Sequence, residues 1–264
     1  MRRESPRLKL AKIESRGLGL LAAFQFLTAI PFGRRVNAHE IGRSLAYFPL
    51  VGLVIGGLLF GLDRLLGLAF PSNLVNVLII IALIMVTRAL HLDGFIDTCD
   101  GLAGGHSPRA RLEIMRDSRV GSFGVVGAIC LILLKYVSLT LLPEGQRLAA
   151  LILMPAIARW TVVYAVFAYP YARKEQGLGL SFKEGASWPR VAIATAITLA
   201  SCLGLMGLEG LAVMASAWLI SLLLSVYLSR KLGGLTGDTY GAIDEVVEVA
   251  VLILIPLITW SYGI

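Results

Sequence analysis

The chain has 264 residues, 57% of them hydrophobic, and a mean hydropathy of +0.79. These values exclude an ordinary soluble domain and indicate a membrane protein that crosses the bilayer several times. The formal net charge is +7, but no soluble segment is large enough to present a basic and aromatic face, so nucleic acid is not expected as a partner.

The first 17 residues form a basic segment, and a short apolar stretch, Leu18 to Phe32, follows it. A segment of about 15 residues is too short to cross about 30 Å of hydrocarbon, so we predict an interfacial or re-entrant helix there. No small-residue cleavage site follows the stretch, which disfavours a signal peptide. We therefore divide the chain into a cytoplasmic segment, 1–17, and a single integral-membrane domain, 18–264.

Seven longer apolar runs predict an all-α bundle of about seven transmembrane helices. The runs are residues 45–69, 74–90, 121–141, 148–169, 191–208, 210–229 and 246–262. If the N-terminus and loops 91–120, 170–190 and 230–245 share one side, that side holds 20 of the 24 Lys and Arg residues. The positive-inside rule makes it the cytoplasmic side of the membrane.

Three aspartates, Asp93, Asp97 and Asp100, follow the second run within the sequence HLDGFIDTCDGLAGG. Their spacings of four and three residues place them within about 60° of one helix face, because each residue advances by about 100°. Carboxylates this close repel one another unless a cation lies between them. Magnesium usually takes one or two carboxylates together with substrate phosphates and water. The stripe therefore predicts a Mg²⁺ site at which a phosphate group binds.

The alternative is a solvated helix end whose acids pair with Arg88, Arg109 or Arg111. The nearby glycines favour the metal site, because they would let phosphate oxygens approach the backbone. These glycines are Gly94, Gly101, Gly104 and Gly105.

A second polar segment, EIMRDSRVGSFG, lies just before the third run, with Ser118 among its charged residues. Arg116 and Arg119 could hold a phosphate through paired hydrogen bonds, while Asp117 orients them or joins a metal shell. The alternative is cytoplasmic anchoring by the basic residues, with an ion pair inside the segment. The residues alone favour neither interpretation.

Two cations lie inside apolar runs. Arg159 is near the middle of its run, so we expect it to pair with an acid such as Glu248 or to bind a substrate phosphate. Lys135 is nearer the outer end of its run, and we expect its ammonium group to snorkel to the interface. His91 adjoins the aspartate stripe and is a candidate for the substrate site. The three histidines of the chain do not have the spacing of zinc ligands, so no zinc site is expected.

The third polar segment, GGLTGDTYGAIDEVVE, leads into the last run. It contains Thr236, Asp238, Asp244, Glu245 and Glu248. Acids at a helix N-terminus are stabilised by the helix dipole, which is the structural alternative for Asp244 and Glu245. Glu248 lies inside the apolar run, where a lone charge costs about 2.5–3.5 kcal/mol on insertion scales and so requires a partner.

Four segments, in this order along the chain, resemble the adenosylcobinamide-GDP ribazoletransferase family, also called cobalamin-5'-phosphate synthase. They are Phe24 to Gly33 (FQFLTAIPFG), His91 to Gly101 (HLDGFIDTCDG), Glu113 to Gly124 (EIMRDSRVGSFG) and Gly233 to Ala242 (GGLTGDTYGA). The segment before Leu18 is longer and more basic than this family pattern.

The resemblance implies transfer of the phosphocobinamide group of adenosylcobinamide-GDP to alpha-ribazole or its 5'-phosphate, with release of GMP, late in vitamin B12 assembly. The resemblance further implies that the protein lies in the lipid of a bacterial or archaeal cytoplasmic membrane. Other enzymes of cobalamin assembly are candidate partners.

We assign individual roles from the residue types. The predicted metal ligands are Asp93, Asp97 and Asp100. The predicted catalytic residues, which include the acceptor of the nucleophile's proton, are Asp97, Asp100 and Asp117. The predicted substrate-binding residues are His91, Arg116, Ser118, Arg119, Arg159, Thr236, Asp238, Glu245 and Glu248.

Other classes fit less well. A CDP-alcohol phosphotransferase of lipid synthesis would carry the pattern DGxxAR, but Asp97 and Thr98 stand where its Ala and Arg belong. A prenyltransferase would need two aspartate-rich motifs of the DDxxD kind. A cation or metabolite transporter would concentrate its charges at the bilayer midplane, whereas most acids here lie at the cytoplasmic ends of the runs.

Overall fold

The computed structural model describes residues 6–30, 38–173 and 177–261. These residues form eleven α-helices and no β-strand, and their one isolated bridge joins Tyr171 to Leu235. The predicted all-α class is confirmed.

The helices are numbered in chain order. They are α1 (Pro6–Leu27), α2 (Ala38–Ser44), α3 (Phe48–Leu66), α4 (Ser72–Val86), α5 (Leu90–Gly104), α6 (Pro108–Ile114), α7 (Ser122–Leu141), α8 (Arg147–Ala168), α9 (Leu178–Gly185), α10 (Trp188–Leu232) and α11 (Gly237–Ser261).

Four helical segments of the described chain are long and apolar enough to cross a membrane. They are Glu40–Leu66, Ser122–Leu141, Glu144–Ala168 and Trp188–Leu232. Helices α4 and α5 make a fifth candidate if the pair is counted as one span bent by 89°. This count is lower than the seven apolar runs of the sequence, and two features account for most of the difference.

The first feature is the division of α10. Gly207 has φ 58° and ψ −134°, which is not helical. A Cβ atom placed on Gly210 would overlap the carbonyl oxygen of Cys202, eight residues earlier. In a straight helix these residues would be about 12 Å apart, so the chain reverses direction at Gly207. Helix α10 is therefore a hairpin whose arms correspond to runs 191–208 and 210–229.

The second feature is the acidic first half of α11. This helix has 25 residues, which is long enough for a span, but the four acids in its first half are more charged residues than a typical span carries. By contrast, the run predicted to continue to residue 90 is interrupted. Helix α4 ends at Val86, and Arg88 and Ala89 adopt positive φ angles of 54° and 56°. This turn directs α5 nearly at right angles to α4.

The N-terminal apolar stretch lies in α1 and is helical only to Leu27, while Phe32 lies outside the described residues. Its apolar part, Gly17–Leu27, is too short to be a candidate span, in agreement with the sequence. Helix α1 crosses the proposed boundary between residues 17 and 18 without a break, so that domain division stays a prediction.

Helix α8 lies at the centre of the bundle, because 83% of its most apolar window is buried and it packs against α3, α10 and α11. Close contact with α3 depends on two small residues. A Cβ atom on Gly52 would lie 2.5 Å from the carbonyl oxygen of Pro155, and one on Gly56 would lie 2.5 Å from Cα of Ile152. Helix α5 packs between α11 and α7, so the aspartate stripe adjoins the acidic start of α11.

Candidate active site

Helices α5 and α11 approach closely where each carries a glycine. A Cβ atom on Gly94 would lie 2.7 Å from the carbonyl oxygen of Asp238, and one on Gly241 would lie 2.8 Å from the carbonyl oxygen of His91. Any larger side chain would push the helices apart. The approach brings Asp238 of the third polar segment beside the aspartate stripe.

Asp93, Asp97, Asp100 and Asp238 concentrate negative charge at this place, and we call these four residues the acidic cluster. Asp97 lies on α5, which turns away from the α4 span. Partial burial raises the pKa of Asp97 to about 6, and the carboxylates of Asp93, Asp238 and Asp100 add to the shift. The same field would favour a bound cation.

Arg173 supplies one positive charge at the cluster, because its Nη2 donates a hydrogen bond to Asp238 Oδ2 at 2.6 Å. The backbone fixes this pair. Leu235 N–H donates to the carbonyl of Pro170, and Ala172 N–H donates to the carbonyl of Leu235, both at 2.8 Å. These bonds tie the segment after α8 to the segment before α11.

Arg173 could not be singled out from the sequence, where it is one of several basic residues of a predicted cytoplasmic loop. Its partner is 65 residues away, and no local spacing links the two. Arg116 acts on the same region, because its charge and that of Arg173 both oppose the rise in the pKa of Tyr171 caused mainly by burial.

The remainder of the second polar segment forms an internal ion pair at the surface. Arg119 Nη2 lies 2.6 Å from Asp117 Oδ2, and both side chains are exposed, as is Ser118. Hydrogen bonds from Arg119 lower the pKa of Asp117 to about 2, so this carboxylate is a weak base at neutral pH. The pairing corresponds to the alternative interpretation of this segment.

Asp100 has a structural role that its place in the stripe did not suggest. It accepts hydrogen bonds from Gly121 N–H and Gly124 N–H, both at 2.8 Å, at the start of α7. A carboxylate in this position satisfies free amides and interacts favourably with the helix dipole.

Thr236 also caps a helix. Its N–H donates to Thr239 Oγ1 at 2.7 Å, and Thr239 N–H donates to Thr236 Oγ1 at 3.2 Å. This reciprocal pair resembles a capping box at the start of α11, and Thr236 is fully buried, so its assignment to substrate binding stays a prediction.

The space beside the glycines near the stripe is occupied by other protein atoms. This corrects the expectation that the glycines let phosphate approach the backbone. A Cβ atom on Gly101 would overlap the side chain of Met115, and one on Gly105 would lie 2.5 Å from Cγ of Arg111. Together with Gly94 against α11, they allow helices to pack closely.

A network of buried charges lies next to the acidic cluster. Arg159 is 1% exposed and forms an ion pair with Glu248, which confirms the pairing expected from the sequence. Arg159 Nη1 also lies 3.0 Å from Asp244 Oδ2, and the same oxygen lies 3.0 Å from His91 Nδ1. The contacts of Asp244 lack hydrogen-bond alignment; the one with Arg159 is a charge contact, while His91 Nδ1 also lies 3.2 Å from Arg159 Nη2.

Lys135 belongs to this network, so the expectation that it snorkels to the interface is wrong. Its Nζ lies 2.5 Å from Glu245 Oε2 and 2.5 Å from Glu248 Oε2, and the residue is 4% exposed. The acids of α11 compensate its charge within the bundle, which makes exposure unnecessary. Arg159, Glu245 and Glu248 are thus engaged with protein groups, and their assignment as substrate ligands stays a prediction.

Two cavities are relevant to the site. One of about 200 Å³ adjoins the acidic cluster and is lined by His91, Asp93, Asp238 and Tyr240 together with glycines and apolar residues. A larger one, of about 690 Å³, is lined by the ends of α3 and α8 and includes Asp63 and Arg147. Those two residues form a buried pair at 2.6 Å, and the acidic cluster does not line that cavity.

No group of three or more His, Cys, Asp or Glu side chains within the described ranges is arranged to hold a metal ion. Magnesium needs fewer protein ligands than that, because phosphate and water complete its shell. The donor chemistry of the acidic cluster therefore fits such an ion, although the cluster is not a closed cage.

Comparison with known proteins gives a consistent family. The model of a family described as cobalamin-5-phosphate synthase matches residues 19–256. A protein of Desulforamulus reducens named adenosylcobinamide-GDP ribazoletransferase is 40% identical over 239 residues, which are 90% of this chain and 96% of that protein. A protein of Geotalea daltonii with the same name is 41% identical over 232 residues, or 87% and 93% of the two chains. No solved structure matches the chain significantly.

Proposed function

The chain belongs to the cobalamin-5-phosphate synthase family, and we propose that it transfers the phosphocobinamide group of adenosylcobinamide-GDP to alpha-ribazole or its 5'-phosphate, releasing GMP. It is a membrane transferase of cobalamin biosynthesis. The observation that carries the detailed proposal is the acidic cluster formed by α5 and α11 with Arg173 against it.

In the proposed reaction, a ribose hydroxyl of alpha-ribazole attacks the phosphorus atom attached to cobinamide. A new P–O bond forms, the P–O bond to GMP breaks, and the hydroxyl proton passes to a carboxylate. Such a transfer depends mainly on positioning the reactants and neutralising charge on the phosphate oxygens.

Cations at the site would serve that neutralisation. Arg116 and Arg173 are the arginines placed to contact the diphosphate or the leaving GMP. We propose that Asp93 and Asp238 hold Mg²⁺, because carboxylate oxygens are its preferred protein ligands and the negative field around Asp97 favours a cation. When bound, magnesium would supply charge neutralisation on the diphosphate.

Asp97 is the best candidate for the proton acceptor. Asp100 already accepts two backbone hydrogen bonds at the start of α7, and Asp117 is held by Arg119. Asp97 has neither engagement among the described residues, and it lies close enough to Asp93, Asp238 and Asp100 for their charges to raise its pKa.

The buried charges hold the helices that carry the site. His91 lies on α5, Lys135 on α7, Arg159 on α8 and Glu248 on α11, so one network joins four helices. We assign these residues to positioning the acidic cluster. Lys135, Arg159 and Glu248 lie inside the bundle, whereas His91 also lines the cavity beside the acidic cluster.

The proposal is tested by incubating the purified protein in lipid vesicles with adenosylcobinamide-GDP, alpha-ribazole and magnesium. We expect GMP and a cobalamin product in equal amounts, and none when magnesium is chelated. A parallel reaction with a CDP-activated lipid and an alcohol should give no product. Absence of GMP release, together with movement of labelled cation or metabolite across the vesicle membrane, would contradict the proposal and favour a transporter.

A further inference from the structure

The cavity beside the acidic cluster has two different walls. One wall is apolar and includes the phenyl rings of Phe26 from α1, Phe48 from α3 and Phe182 from α9. The other carries His91 together with Asp93 and Asp238 of the acidic cluster. Phe26 lies in the first of the four segments on which the family resemblance rests, and the proposed chemistry gives that segment no role.

The three rings form one aromatic group. Phe182 meets Phe26 edge to face with centroids 4.7 Å apart, and it meets Phe48 with centroids 5.5 Å apart. Phe26 and Phe48 are stacked at 6.0 Å. An arrangement of this kind favours contact with the face or edge of another aromatic ring.

Tyr240 supplies a second, independent observation. It lines the same cavity and is 5% exposed, and its hydroxyl has no hydrogen-bond partner among the described residues. Buried hydroxyl groups are nearly always paired, because leaving one unsatisfied is costly. A ligand with a polar atom at this position would complete the pairing.

The size and polarity of the cavity restrict the ligand. Its volume of about 200 Å³ is below the range of about 300–1,000 Å³ that holds a whole drug-sized molecule, so one ring system fits and a corrinoid does not. Guanine carries several hydrogen-bonding groups, more than the few polar side chains of this largely apolar cavity can pair, and leaving some of them buried without partners would be unfavourable. The dimethylbenzimidazole base of alpha-ribazole is mostly apolar and has one free ring nitrogen.

We propose that this cavity binds the base of alpha-ribazole, with Tyr240 donating a hydrogen bond to its ring nitrogen. The inference rests on the proposed function and adds the binding place of the nucleophile. It gives the aromatic wall a substrate-positioning role, because a base held there brings its ribose towards Asp93 and Asp238.

Equilibrium dialysis of the full-length protein in detergent tests the proposal, with alpha-ribazole and GMP as separate probes. Tyr240→Phe should weaken alpha-ribazole binding about tenfold, and Phe182→Leu about threefold to tenfold, while GMP binding stays unchanged. The matched controls Tyr227→Phe and Phe123→Leu change exposed side chains and should leave both affinities unchanged.

Three outcomes are informative. Weaker GMP binding with unchanged alpha-ribazole binding would overturn the proposal and place guanine in the cavity. Unchanged binding of both probes in both variants would also overturn it. If the wild-type protein binds alpha-ribazole in a Tyr240-dependent way but transfers no phosphocobinamide, the proposed function fails while the assignment of the cavity stands.

Discussion

Buried and exposed ion pairs of this protein differ in how much stability is lost when one partner is removed. Lys135 contacts Glu245 and Glu248 with all three residues inside the bundle, whereas Arg109 and Glu113 form an exposed pair one helical turn apart. A buried charge that loses its partner keeps its desolvation penalty, while an exposed charge is simply hydrated. Side chains with the same formal charge therefore contribute very differently to stability.

We predict that Lys135→Met lowers stability strongly, because it leaves two carboxylates buried beside each other with one cation fewer. Loss of one partner of a buried pair typically costs about 3–5 kcal/mol. Thermal unfolding in detergent should show a clear fall in the midpoint, and the control Arg109→Met should show none. An unchanged midpoint in Lys135→Met would mean that the lysine lies at the interface after all.

The chemical roles of individual residues could be predicted from the sequence more readily than the residues with which they pair. The spacing of Asp93 and Asp97 on one helix face could be read directly, and so could the need of Arg159 for a buried acid. The pairing of Arg173 with Asp238 could not, because the contact depends on how two distant segments meet. The depth of Lys135 was misjudged for the same reason.

Helix packing, rather than open space around the carboxylates, explains the glycines of α5. Gly94 lies against the backbone of Asp238, at the point where α5 and α11 bring the acidic cluster together. Gly57 of α3, by contrast, has nothing within 4 Å of an added Cβ atom. The two positions form a matched pair for testing the role of this contact.

We predict that Gly94→Ala reduces GMP release at least about tenfold, because a methyl group there would displace α5 from α11 and misplace the carboxylates. Gly57→Ala should retain the wild-type rate. Both variants are compared by initial rates at equal amounts of membrane-inserted protein. Wild-type activity in Gly94→Ala would show that the close approach is not required for the chemistry.

Local sequence signals located most helices but not their ends. The short turn between the two arms of α10 was visible as a break between apolar runs, and Gly207 lies at that break. The end of α4 at Val86 was not predicted, because the apolar residues Ala89 and Leu90 follow Thr87 and Arg88 and extend the run to residue 90. The cap that Asp100 provides for α7 was also missed, since its donors are 21 and 24 residues further along the chain.

For the molecule as a whole, composition was sufficient to predict an all-α membrane bundle. The site is assembled from α5, the segment after α8 and the start of α11, which are far apart in sequence. Hydropathy does not predict how these segments come together, because it indicates which residues lie in the membrane and not which helices are in contact. The aromatic cavity was likewise not predicted, since its rings come from α1, α3 and α9.

The central claim is that the carboxylates between α5 and α11 perform metal-assisted phosphoryl transfer. GMP release from adenosylcobinamide-GDP by Asp97→Asn, measured with alpha-ribazole and saturating magnesium, tests it most directly. We predict a loss of about 100-fold or more in a variant that still inserts in the membrane, with at most a small loss in the control Asp117→Asn. Near-normal turnover by Asp97→Asn would contradict the account.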